Sequence, residues 1–267
     1  MSDHPIAARW RAIRARADGR GRAALIPYLT AGFPTPAASL EALRLVEVAG
    51  ADLVEVGVPF SDPLADGPTI QRSTQRALEQ GMTVARVLEL IRSAALKIPV
   101  VVMTYLNPVV SYGPERFVAD AAAAGASGLV LTDFPAGADP HLEAVVADSP
   151  LALIRLLAPT TTPDRLTRAV RGASGFLYLI SRLGVTGARD AVPLDLPDHV
   201  ARVRAVSALP LAVGFGIGTP AQARATARLA DGVVVGSALV EALGTGGAAA
   251  VERLTRDLAA AVRSAAQ

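Results

Sequence analysis

Eight short runs rich in β-branched residues and leucine recur along the chain, at 25–29, 53–57, 99–103, 128–132, 151–156, 176–180, 211–214 and 232–235. Between them the apolar residues change to helical spacing, as in Leu40, Leu43 and Val46, in Val84, Val87, Leu88 and Ile91, and in Val251, Leu254, Leu258 and Val262. Thr35-Pro36, Thr162-Pro163 and Thr219-Pro220 each read as a threonine N-cap with proline in the first helical position, and Asp139-Pro140 repeats the device with aspartate. Gly50, Gly125 and Gly172 stand where helices end, just before the next strand. A strand followed by a helix, eight times over in 267 residues, predicts an α/β chain folded as a closed parallel (β/α)8 TIM barrel with extra helices. A doubly wound open sheet is the competitor, but no G-x-G-x-x-G follows the first strand. The helical pattern at 83–96 is an insertion between the second and third strands. No linker divides the chain, so a single barrel domain over 1–267 is expected, with an N-terminal helix at about 4–17.

Composition narrows the function. The net charge of +2 comes without any basic run, which argues against nucleic acid or a membrane surface as partner. There is no cysteine, hence no disulfide framework, thiol nucleophile or thiolate metal site. No apolar run is long enough to span a bilayer, and a cytoplasmic place is expected. The arginine-rich start carries a helical stripe of Ile6, Trp10 and Ile13, which reads as a short packed helix rather than a transit segment.

In a (β/α)8 barrel the chemistry sits at the C-terminal strand ends. Those ends supply Tyr28 and Thr30, Glu55, Tyr105 and Asn107, Thr132 and Asp133, Arg155 and Thr160, Tyr178 and Arg182, Phe215 and Gly216, and Gly236 and Ser237. Lys97 is the only lysine and precedes the third strand, on the face opposite the site, so no Schiff-base lysine is available at the rim. His4, His141 and His199 lie outside the strand ends, so a histidine metal cluster is absent there. Acid–base chemistry falls to Glu55, Asp66, Asp133 and Tyr178. Glu55 shares a strand face with Leu53 and Gly57, whereas Val54, Val56 and Val58 take the other. Inside an apolar barrel mouth its pKa should rise toward neutrality; the alternative is a buried glutamate paired with an arginine. Asp66 lies in a loop broken by Pro59, Pro63, Gly67 and Pro68, where it reads either as a second acid–base group or as a cap of the following helix. Asp133 either acts or braces a loop. Glycines gather after the last three strands, at Gly184 and Gly187, at Gly214, Gly216 and Gly218, and at Gly236 before Ser237. Backbone N–H groups there, at a helix start, suit a phosphate.

The segment Glu55-Val-Gly-Val-Pro-Phe-Ser-Asp-Pro-Leu-Ala-Asp66-Gly-Pro-Thr-Ile-Gln71 resembles the tryptophan synthase alpha subunit family. The likeness continues in Pro27-Tyr-Leu-Thr-Ala-Gly-Phe-Pro34, Met103-Thr-Tyr-Leu-Asn-Pro108, Thr132-Asp133, Ser181-Arg-Leu-Gly-Val-Thr-Gly187, Gly214-Phe-Gly-Ile217 and Gly236-Ser237. The resemblance implies retro-aldol cleavage of indole-3-glycerol phosphate, with Glu55 and Asp66 as the catalytic pair. It implies Tyr178 and Thr186 near the substrate, and Gly187, Gly216, Gly236 and Ser237 on its phosphate. Tyr28, Tyr105, Asp133 and Phe215 are expected to complete the substrate contacts, Tyr28 standing where the family often has phenylalanine. No cofactor is expected in this chain. A pyridoxal-phosphate beta subunit is the expected partner, in an alpha2-beta2 heterotetramer, with Pro59, Asp62, Asn107 and Pro108 facing it. Three other readings stand beside this one: a free-standing indole-glycerol-phosphate lyase, another phosphate-binding barrel isomerase or epimerase, and a non-catalytic regulatory subunit.

Overall fold

A computed structural model describes residues 4–15, 21–181 and 193–265. Strands β1 (Ala24–Thr30), β2 (Val54–Gly57), β3 (Val100–Thr104), β4 (Ala126–Leu131), β5 (Ala152–Leu157), β6 (Leu177–Ile180), β7 (Leu211–Gly214) and β8 (Gly232–Val235) pair in chain order and close into a barrel. All eight pairings are parallel, and β8 returns to β1 through Leu25↔Val233 and Ile26↔Val234. Each expected strand is present.

Burial falls into two layers. Val54, Val56, Val58, Val100 and Val102 pack outward against the helices, whereas Ile26, Tyr28, Leu53, Val101, Met103, Ile154 and Tyr178 fill the interior. The period-2 alternation of each strand thus divides its side chains between two cores. The helices of the shell are α2 (Pro36–Val48), α3 (Pro68–Glu79), α4 (Val84–Ala94), α5 (Leu106–Tyr112), α6 (Pro114–Ala124), α7 (Pro140–Ala147), α8 (Pro163–Arg171), α9 (Leu196–Arg204), α10 (Pro220–Ala227) and α11 (Ser237–Arg263). The Thr35 and Asp139 side chains accept from the first turns of α2 and α7, and Thr219 with Gln222 forms a full capping box on α10. Thr162 precedes α8 without a side-chain cap bond. Gly50 and Gly125 have positive φ, as expected for glycines at helix ends, but Gly172 has φ −96° and needs no glycine for that reason. The insertion at 83–96 is α4.

Helix α1 (Pro5–Arg14) lies at the N-terminal end of the barrel. Its stripe of Ile6, Trp10 and Ile13 is buried in the interior core, with Trp10 edge-on to Phe176 at 5.8 Å. Each of these side chains contributes on the order of 2 kcal/mol of burial. Asp52, fully buried before β2, accepts from Arg9 of α1 at 2.7 Å, from Arg22 at 2.6 Å and from the Leu25 N–H at 3.0 Å. That cluster ties α1 to the first two strands and leaves the other end of the barrel for chemistry. No described helix is long and apolar enough to cross a membrane.

Candidate active site

Glu55 sits on β2 in register with Tyr28 of β1, and both side chains belong to the barrel interior. The glutamate is wholly buried, and neither carboxyl oxygen has a hydrogen-bond partner among the described residues. No arginine neutralises it there, so the ion-pair alternative is excluded for the described residues. Burial pushes its pKa from 4.5 up to about 8. Around it the chain makes room for two tyrosines. A Cβ on Gly57 would lie 2.1 Å from the Tyr28 hydroxyl, and one on Gly214 would lie 2.3 Å from that of Tyr178. Burial is the largest cause raising both phenols, and Glu55 and Asp66 both add to it. These four groups therefore share one electrostatic field.

Asp66 approaches on the loop after β2. Gly67, not Asp66, is the N-cap residue of α3, and no side chain caps that helix. The carboxyl is therefore not spent as a helix cap. Burial raises its pKa to about 6, and the nearby Tyr105 hydroxyl holds the rise in check. The same hydroxyl accepts the Ala65 N–H at 3.0 Å, while the Tyr105 ring packs on Phe60 at 5.2 Å. Tyr105 thus holds the loop at Ala65, next to Asp66, and through Phe60. It is also the N-cap residue of α5, whose Leu106 N–H donates to Asp133 Oδ1 at 2.7 Å. Asp133 is engaged in that brace.

On the opposite side of the mouth, Phe215 and Gly216 follow β7 with φ of 72° and 79°. A left-handed phenylalanine costs on the order of 1–3 kcal/mol, and such strain concentrates at functional sites. It is held by the Ser181 hydroxyl, which donates to the Phe215 carbonyl, and by Tyr178, whose ring lies 6.0 Å away. Gly236 then opens α11, and no side chain caps that N-terminus. A Cβ on Gly218 would lie 3.3 Å from that of Ala238, so the β7 loop rests on the first turn of α11. The turn after β7 and a helix start meet here, with N–H groups and the helix dipole available to an anion.

Thr186 and Gly187, with Arg182 and Gly184, lie outside the described residues. Two expectations need correction. Pro59 is buried inside the chain, because Val58 extends the ladder by donating to the Met103 carbonyl at 2.9 Å and keeps its neighbour in the wall. It is not presented to a partner. Arg155, expected at the rim, points outward into the helix layer, where it pairs with Glu143 of α7. Asp62 and Asn107 are exposed and Pro108 is half-buried, on the Asp66 loop and the first turn of α5. The spacing arguments missed Gly57 and Gly214 as the seats of the two tyrosines; a glycine at an inward strand position opposite a large ring is the signal that marks them.

Comparison with known proteins points to one family. A family model described as tryptophan synthase alpha chain matches residues 15–266. A tryptophan synthase alpha chain of Chloroflexus aggregans is 49% identical over 232 residues, covering 86% of this chain and 87% of that protein. One from Gluconacetobacter diazotrophicus is 51% identical over 241 residues, covering 89% and 86%. Among solved structures, a Mycobacterium tuberculosis tryptophan synthase chain superposes with a TM-score of 0.88 at 43% identity, covering 97% of this chain and 98% of that one.

Proposed function

The chain belongs to the tryptophan synthase alpha chain family, and we propose that Glu55 and Asp66 carry the reaction of that family at the mouth of its barrel. The reaction is a carbon–carbon lyase step of tryptophan biosynthesis: indole-3-glycerol phosphate is cleaved to indole and glyceraldehyde 3-phosphate. Its difficulty is chemical. C3 of an indole is a poor carbanion, so it must be protonated before the bond to the glycerol carbon breaks.

The observation that carries the assignment is the pair of raised pKa values, about 8 for Glu55 and about 6 for Asp66. Near neutral pH Glu55 holds its proton and Asp66 has lost its own, which gives one acid and one base over one cavity. Glu55 protonates C3, while Asp66 takes the ring N–H proton. The Glu55 carboxylate then accepts the proton of the side-chain hydroxyl as the C3–carbon bond breaks and the aldehyde forms. Asp66 returns its proton to nitrogen, so indole leaves neutral and both carboxyls are reset. With neither oxygen pinned by a partner, Glu55 is free to serve two positions. Tyr28, Tyr105, Tyr178 and Phe215 line the indole side. Gly187, Gly216, Gly236 and Ser237 hold the phosphate, with Thr186 near the substrate, and that remote anchoring keeps the reacting atoms in register. Asp133 contributes through α5. No step calls on a metal or organic cofactor in this chain.

Indole is neutral and membrane-permeable, so a partner that consumes it where it forms is favoured. We assign that role to a pyridoxal-phosphate beta subunit in an alpha2-beta2 assembly. Leu64 on the Asp66 loop is 95% exposed and Val110 on α5 is 55% exposed, beside Asp62, Asn107 and Pro108. Docking on that rim would order the loop that carries Asp66.

Indole release from indole-3-glycerol phosphate tests the assignment. Glu55→Gln should abolish it, and Asp66→Asn should lower kcat by about 10²–10⁴, with the wild type accelerated by added beta subunit. Activity of Glu55→Gln within about tenfold of wild type would remove Glu55 from its central place.

A further inference from the structure

We infer that Arg155 is a positioning residue for the Asp66 loop, acting from behind the barrel wall through the chain after β4 and the start of α5. The inference rests on the proposed roles of Glu55 and Asp66. Arg155 faces away from the barrel interior. Its strand neighbours Leu153 and Leu157 pack in the outer layer, whereas Ala152 and Ile154 fill the interior. The guanidinium is 4% exposed and spans the connection between β4 and α7. It pairs with Glu143, donates to the Phe134 carbonyl at 3.2 Å and lies 5.1 Å from the centre of the Phe134 ring. Glu143 also accepts the Gly137 N–H at 2.8 Å. One planar fork and its carboxylate thereby fasten residues 134, 137 and 143 together.

The fastened segment begins one residue after Asp133. That aspartate accepts the Leu106 N–H at 2.7 Å, and the residue before Leu106 is Tyr105, whose hydroxyl accepts the N–H of Ala65, the residue before Asp66, at 3.0 Å. Three hydrogen bonds, joined through the adjacent residues Asp133-Phe134 and Tyr105-Leu106, link four elements from the outer face of β5 to the residue before the candidate base. Stability alone does not call for such a residue. A buried ion pair is often replaced by apolar side chains without loss, and the Arg155 Nε has no partner among the described residues. Placement does call for it, since an error of about 1 Å at a reacting group costs about 100-fold in rate.

A double-mutant cycle in indole release tests the relay, using Arg155→Met, Tyr105→Phe and the combined variant of the full chain, with thermal melts alongside. Arg155→Met should lower kcat by about tenfold or more with little change in KM, and should add nothing in the Tyr105→Phe background. Arg155→Lys, which keeps the charge beside Glu143 but loses the fork, should recover part of the rate. If Arg155→Met does not fold, Glu143→Gln takes its place in the cycle with the same expectation. A folded variant with wild-type kcat, or effects that multiply across the two sites, would overturn the relay alone. A wild type that releases no indole would overturn the function assigned above and the relay with it.

Discussion

A single burial event gives Glu55 both its chemistry and its cost. In the folded chain its pKa is about 8, against 4.5 for the free side chain. Below about pH 4.5 the carboxyl is neutral in both states and burial carries no charge penalty. Between about 4.5 and 8 the unfolded chain ionises while the folded chain stays protonated, so stability falls by about 1.4 kcal/mol per pH unit. Above about 8 both are charged and the loss levels off. Asp66 acts with the same sign over the narrower window up to about 6. Glu55→Gln should therefore melt higher than wild type, by a margin that grows from about pH 4.5 to about pH 8. Melting temperatures measured across that range check the sign. A margin independent of pH would mean that Glu55 is already ionised in the folded chain.

At the scale of elements, β1 and β2 are matched by a missing side chain. Gly57 leaves the space that the Tyr28 ring occupies, with the hydroxyl 2.1 Å from where a Cβ would stand. Gly57→Ala should push that ring out of place and cost about 1–3 kcal/mol, the usual penalty of overpacking. Shortening the ring in a Gly57→Ala, Tyr28→Leu pair should restore most of the loss; an unchanged melting temperature in Gly57→Ala would show that the ring is seated elsewhere. The strands and most helices were legible because their signals are local: β-branched runs, helical spacing, and Thr-Pro or Asp-Pro starts. Helix α5 was not, since Tyr-Leu-Asn-Pro reads as a loop. Pro108 is nevertheless tolerated as its third residue, where its absent N–H would have had no intrahelical partner. The outward face of Arg155 was hidden for a different reason. Strands buried on both faces carry apolar residues at nearly every position, so β5 shows no alternation from which to read its phase. The role of Asp133 depended on Leu106, and the burial of Pro59 on the bond of its neighbour Val58 to Met103, partners distant in sequence that no local pattern reveals.

The whole molecule separates its tasks between the two ends of the barrel. Helix α1 and the Asp52 cluster secure the N-terminal end, and the one wholly buried carboxyl without a partner among the described residues, Glu55, sits inside the barrel toward the mouth. There Glu55, deep in the interior, and Asp66, on a loop held by Tyr105, are shifted by burial to different extents, which places neutral pH between them. This opposition of one protonated and one ionised carboxyl is what lets the chain act as acid and base at once. It shows directly in the pH dependence of kcat/KM for indole release, followed from about pH 5 to about pH 9. The expected curve is a bell that rises with an apparent pKa near 6 as Asp66 ionises and falls near 8 as Glu55 loses its proton, the rising limb disappearing in Asp66→Asn. A flat profile, or a rising limb that survives Asp66→Asn unchanged, would contradict it.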